Sequence, residues 1–105
     1  MTSGMACAVS GCGQEAVTVL PVVAWTAATF LELTAAPMHQ YCPVHEPVIS
    51  DRYAAAVDWT VCRDSAEGHH LDLQTLQQIC AHLKAMRTPK ARAVHTALLR
   101  ITGTP

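Results

Sequence analysis

Between residues 71 and 102 the apolar side chains recur at helical spacing. Leu73, Leu76, Ile79, Cys80, Leu83 and Met86 form one stripe, and Asp72 stands where an N-cap can accept from an unpaired first-turn amide. Thr88-Pro89 repeats the signal, with proline at a first helical position. Val94, Ala97, Leu98 and Ile101 then follow at helical spacing until Gly103 stops the run. The pattern predicts an αα-hairpin over 71–102, reached through a glycine-containing loop at 65–70. Upstream, Glu46-Pro47 opens a helix to about Cys62, because a proline in the first turn removes only an amide that had no partner. Its apolar residues fall on two faces. Ile49, Tyr53, Ala56, Val57 and Val61 make one, and Val48, Ala55, Trp59 and Cys62 the other, so a helix sandwiched on both sides is expected.

Nearer the N-terminus the period shortens. Residues 16–25 are rich in valine and residues 30–35 alternate imperfectly, which predicts two antiparallel strands joined through 26–29. Pro21 should lie at an edge or a bulge, since it cannot donate a ladder hydrogen bond. Residues 1–6 carry no pattern and are expected to be a loose tail. No repeat, low-complexity run or linker divides the chain. One domain over 1–105 is expected, of α+β class, with a β-hairpin and helix part at 7–62 and a helical hairpin part at 71–102.

The 105 residues are half hydrophobic and only 14% charged, enough apolar surface to offset chain entropy and exclude ordinary disorder. The net charge of −1 conceals a segregation. Up to residue 68, seven carboxylates stand against Arg52 and Arg63, a net of −5. From His69 onward Lys84, Arg87, Lys90, Arg92 and Arg100 stand against Asp72, a net of +4. No lysine or arginine precedes Arg52, so the basic region of a secretory signal is missing and a cytoplasmic protein is expected. The most apolar stretch, 16–31, contains Pro21 and Trp25 and is bracketed by Glu15 and Glu32, too short to span a bilayer. No membrane partner is expected. Five cysteines in a reducing compartment favour metal ligation over a disulfide framework.

The cysteines are placed to do this. Cys7 and Cys12 form a C-x4-C pair, with Gly11 and Gly13 on either side of Cys12, where a backbone turning its amides toward a metal-bound sulfur needs positive φ. Cys42 and His45 form a C-x2-H pair just before the helix. Zinc takes four tetrahedral ligands from thiolate and imidazole, and short loops deliver them in pairs. One structural Zn2+ held by Cys7, Cys12, Cys42 and His45 is therefore expected, with no open position for a catalytic water. His39 flanks Cys42 at workable spacing and is the alternative to His45. His45 is preferred because it follows the turn-forming Pro43 and immediately precedes the helix.

A knuckle, a β-hairpin and a ligand pair at a helix N-terminus, in that order over residue 7 to about 62, resemble the treble-clef class of small zinc-binding domains. That resemblance implies a knuckle through Cys7 and Cys12 and a helix-borne pair at Cys42 and His45. The C-x4-C gap departs from the class, whose usual gap is two residues. The fold hosts many unrelated functions and implies none by itself.

Cys62, His69, His70, Cys80 and His82 lie outside this set. Cys80 belongs to the stripe with Leu76 and Leu83, and Cys62 to the face with Trp59. Both read as buried thiols that act as small hydrophobes, and His69-His70 as a solvated loop. No catalytic residue is assigned, because nucleophile-elbow, phosphate-loop and H-E-x-x-H motifs are missing. Some treble-clef relatives are metal-dependent nucleases with a His-Asn-His constellation, but this chain contains no asparagine. The expected role is a regulatory adaptor binding a protein or nucleoprotein partner. The alternative is duplex nucleic-acid binding through Lys84, Arg87, Lys90, Arg92 and Arg100, which can neutralise phosphates. No aromatic residue after Trp59 offers a stacking platform for single strands. Those same charges also serve simply to solvate two helices. The two-sided helix at 47–62 offers a place for homo-oligomer assembly.

Overall fold

The computed structural model describes residues 5–24, 29–66 and 72–102. The elements run β1 (Thr18–Pro21), α1 (Phe30–Thr34), β2 (Met38–Tyr41), α2 (Glu46–Ala66), α3 (Leu73–Lys84) and α4 (Pro89–Thr102), an α+β arrangement. β1 and β2 pair antiparallel, from Thr18 opposite Tyr41 to Pro21 opposite Met38, so the proline ends its strand as its missing donor requires. Residues 5 and 6 are not a loose tail. Ala6 bridges Glu15, the Ala16 amide donates to the Met5 carbonyl at 2.7 Å, and the Ala8 amide donates to the Gln40 carbonyl at 2.7 Å. The N-terminal segment is thereby tied to the edge of β2.

The segment 30–35 is the clearest departure from expectation. It is helix α1, and the second strand lies later, at Met38–Tyr41. Thr29 sits in extended conformation as the N-cap, accepting from the Glu32 amide at 3.2 Å while its hydroxyl faces the Glu32 carboxylate at 3.4 Å. Threonine followed three residues later by glutamate is a capping box, and it outweighs a five-residue alternation of which only Leu33 is buried. Leu31, read as part of a strand, is 73% exposed.

α2 continues past Cys62 to Ala66 and buries one broad face, with Ile49, Ser50, Tyr53, Ala54, Ala56, Val57 and Thr60 all withdrawn from solvent. Ala54 and Ala56 of α2 and Ala91 of α4 are small residues of the buried core. The Tyr53 hydroxyl donates to the Leu33 carbonyl at 3.3 Å and joins α2 to α1. Thr60 satisfies itself on the Ala56 carbonyl at 2.7 Å, whereas the equally buried Ser50 hydroxyl has no hydrogen-bond partner among the described residues. The expected sandwich is not formed: Val48 is 53% and Trp59 48% exposed, and Cys62 is exposed rather than buried. The neighbouring elements pack against one side of α2 and leave this second face open.

The C-terminal αα-hairpin is present. Asp72 caps α3 by accepting from the Gln74 amide at 3.3 Å and the Thr75 hydroxyl at 2.8 Å, and Thr88 caps α4 by accepting from the Ala91 amide at 3.2 Å. Leu76, Ile79, Cys80, Leu83 and Met86 are buried as the stripe predicts, but Leu73, in the first turn of α3, is 51% exposed. In α4 the inward residues are Ala91 and Leu98, with Val94 and Leu99 partly covered, while Ala97 and Ile101 face outward. The core is continuous from Cys7 and Leu20 through Tyr53 and Val57 to Ile79 and Leu98. The expected 65–70 loop falls largely outside the described residues.

Candidate metal centre

Two local turns build the site. The Cys7 amide donates to the Gln14 carbonyl at 2.9 Å and the Cys12 amide to the Val9 carbonyl at 3.1 Å, closing a tight loop between the bridge partners Ala6 and Glu15. Gly11 and Gly13 adopt φ of +80° and +69°, the left-handed conformations anticipated on either side of Cys12. Cys42 directly follows the last residue of β2. The Glu46 amide donates to the Cys42 carbonyl at 2.9 Å and the Ile49 amide to the His45 carbonyl at 3.1 Å, so His45 stands at the mouth of α2.

The four donor atoms converge, all lying within 4.8 Å of one another. Cys42 Sγ is 3.2 Å and Cys7 Sγ 3.6 Å from Nδ1 of His45, and Cys12 Sγ is 3.7 Å from Cys42 Sγ. A tetrahedral zinc with sulfur ligands at about 2.3 Å and nitrogen at about 2.0 Å sets its sulfur pairs about 3.8 Å apart and its sulfur–nitrogen pairs about 3.5 Å apart. The three closest separations are near these edge lengths, the remaining pairs lie within 4.8 Å, and 3.7 Å between sulfurs is far too long for a disulfide; all five cysteines are free thiols. Cys7 and Cys42 are buried, Cys12 and His45 half-buried.

The electrostatics also suit a cation. Burial alone would push the Cys42 thiol up, but hydrogen bonds from the His45 backbone and ring, the Val44 amide and Cys12 outweigh it and lower it to about 6. At Cys12 the Gln14 backbone pulls down, yet burial and the neighbouring Cys42 and Cys7 sulfurs together raise it. The Cys42 thiol ionises readily while the nearby Cys12 resists, a repulsion that a cation between them would relieve. Cys7, Cys12, Cys42 and His45 could hold one metal ion. The amides of Val44 and His45 around the Cys42 sulfur were not read from the sequence, where Pro43 was the only sign of a tight turn.

His39 is exposed within β2 and takes no part in the cluster. Cys80 is buried as expected, and burial raises its thiol. The half-buried His82 stands edge-on to the Tyr53 ring, centroids 5.8 Å apart, with its imidazole lowered by desolvation. Among the described residues no second group of three or more Cys, His, Asp or Glu side chains converges this way. His69 and His70 lie outside the described residues.

Lys84, Arg87, Lys90, Arg92 and Arg100 are all exposed. Their segregation from acidic residues does not fully survive folding: Lys90 shares a groove with Asp51 and Arg52, and Arg87 a recess with Glu46. No helix among the described residues is long and apolar enough to cross a membrane. No protein-family model, curated protein or solved structure matches the chain.

Proposed function

We propose that the chain is a non-enzymatic interaction module of treble-clef type, built around one structural zinc ion on Cys7, Cys12, Cys42 and His45, and acting as a regulatory adaptor for a protein or nucleoprotein partner. The observation that carries it is the convergence of the four donors within 4.8 Å of one another. Three soft sulfurs and one imidazole favour zinc over hard oxygen-seeking cations. Four protein ligands fill a tetrahedral shell and leave no position for a bound water, so the ion's contribution is to fix the knuckle against the start of α2. The order of knuckle, paired strands and helix-borne ligand pair supports the treble-clef assignment, with the longer C-x4-C gap and the inserted helix α1 as its variations.

A second partner, duplex nucleic acid, is favoured by the five exposed cations between 84 and 100, although Lys90 shares its groove with Asp51 and Arg87 its recess with Glu46. Recovery of partners on the purified chain at two salt concentrations, with and without nuclease, separates the two. An adaptor for protein retains its partner after nuclease treatment. A duplex binder loses it, and replacing Lys90 and Arg92 by alanine lowers its salt dependence by roughly one unit per lost phosphate contact.

A further inference from the structure

The three sulfurs of the metal centre are not equivalent. Cys7 and Cys42 are buried, and regular structure anchors both. The Cys7 amide donates to the Gln14 carbonyl beside the Ala6–Glu15 bridge, and the Cys42 carbonyl accepts from the Glu46 amide where β2 turns into α2. Cys12 is half-buried and stands in the knuckle loop among the exposed residues Ser10, Gly11 and Gly13. Of the three, it is the one that solvent reaches. Its sulfur is 3.7 Å from Cys42 Sγ, across 30 positions of chain. A disulfide between them requires a closing movement of about 1.7 Å, since the bond itself is about 2.0 Å long. The loop has room for it, because Gly11 and Gly13 flank Cys12 and face open space where a side chain would stand.

We infer that the centre is a peroxide-responsive switch in which Cys12 and Cys42 join as a disulfide and the metal is given up. The inference rests on the zinc reading above and adds its regulation. The Cys12 sulfur, a thiolate when it serves as a ligand, attacks one oxygen of hydrogen peroxide. An S–O bond forms, the O–O bond breaks, and the departing hydroxide takes a proton from solvent to leave as water. The Cys42 thiolate then attacks the sulfenic acid at Cys12. The S–S bond forms, the S–O bond breaks, and a second hydroxide is protonated to water. Two thiolates, one peroxide and two protons thus give one disulfide and two waters. A resolving sulfur so near Cys12 diverts it from the irreversible sulfinic acid. Cys7 and His45 remain, two donors where zinc takes four, so the ion is lost. The new bond spans the same two halves that the ion joined. The knuckle therefore stays tethered to the start of α2 while the Cys7 thiol and the His45 imidazole are freed. Cys62 and Cys80 lie outside the cluster and take no part.

The full chain, loaded with zinc, should be treated with excess hydrogen peroxide beside a chromophoric chelator, both unsubstituted and with Cys62→Ala and Cys80→Ala combined. Each protein should release one zinc per chain as the link forms. The substituted chain should lose two of its three thiols. Cleavage at Glu15 and Glu32 separates the two halves, so non-reducing mass spectrometry should find peptide 1–15 joined to the peptide that begins at Leu33. Fragment ions should place the link on Cys12 and Cys42 and show Cys7 alkylated. A phosphine reductant with added zinc should restore both the thiols and the metal. Zinc retained with the sulfurs unoxidised, a link through Cys7, a link between chains, or sulfinic acid at Cys12 would each overturn the inference and leave the zinc reading standing. A chain that carries no zinc before oxidation defeats the zinc reading, and the switch with it.

Discussion

The sulfur of Cys42 lies 3.2 Å from Nδ1 of His45, across the single turn that ends β2 and begins α2. The two residues are close in sequence, and the Glu46 amide on the Cys42 carbonyl is enough to set their spacing. The contact of Cys7 with the same imidazole, at 3.6 Å, instead bridges 38 residues. One half of the centre is therefore local and the other tertiary, and the two halves should respond differently to perturbation.

If the ligands and the fold share one free energy, purified protein should contain one zinc per chain and unfold when a chelator removes it. Cys42→Ala should lose both, with a stability deficit on the order of 10 kcal/mol in the scale of structural zinc sites. Cys62→Ala and Cys80→Ala should keep the metal. Elemental analysis with thermal denaturation checks this, and a metal-free preparation of unchanged stability would refute it.

Gly11 and Gly13 have open space where a Cβ would be built, so replacing either tests backbone conformation alone. Gly11→Ala at φ +80° should cost roughly 1–2 kcal/mol. Because that strain falls on the knuckle, it should appear as a weaker hold on the metal in competition with a chromophoric chelator. An Ala at Ala35, which already ends α1 with negative φ, carries no such strain.

Ser50→Ala should be neutral or stabilising by about 1 kcal/mol, because it deletes a fully buried hydroxyl that has no partner among the described residues. Thr60→Ala at the equally buried site should not gain, since that hydroxyl is bonded to Ala56. Paired denaturant melts decide between the two.

Desolvation lowers the His82 imidazole below its ordinary value of 6.5, so the folded state holds this ring neutral against the Tyr53 edge. The unfolded chain binds the proton first. The corresponding stability is complete above the unfolded value and is lost as pH falls from there through the folded value. His82→Gln should remove this component, leaving a shallower decline as pH falls below 6.5 than wild type shows. Identical slopes for the two proteins would exclude the assignment.

The four converging residues were legible because metal chemistry restricts both residue type and spacing, and Gly11 and Gly13 marked the turn beside Cys12. The α3 and α4 caps were legible for a similar reason: Asp72, Thr88 and Pro89 act within one turn of themselves. What misled was periodicity over short windows. Phe30 to Thr34 alternates for too few residues to distinguish a strand from a helix, and the Thr29 and Glu32 pair that decides the matter lies at its boundary. The phase of α4 was misjudged by hydrophobicity, which favours Ile101 over Ala91, although Ala91 is the buried one and Ile101 is half exposed. Nor could the two apolar faces of α2 be ranked, since burial depends on where α1, α3 and α4 arrive.

The separation of 38 positions between Cys7 and His45 also has a mechanical meaning. With an ion seated on the four donors, the chain from knuckle to helix becomes a closed ring threaded into a linear polymer. Pulled by its ends, such a molecule withholds the contour of that ring, about 130 Å at full extension, until a metal–ligand bond ruptures. Force spectroscopy would then record two lengths, one set by hydrogen bonds and packing, the other by coordination chemistry.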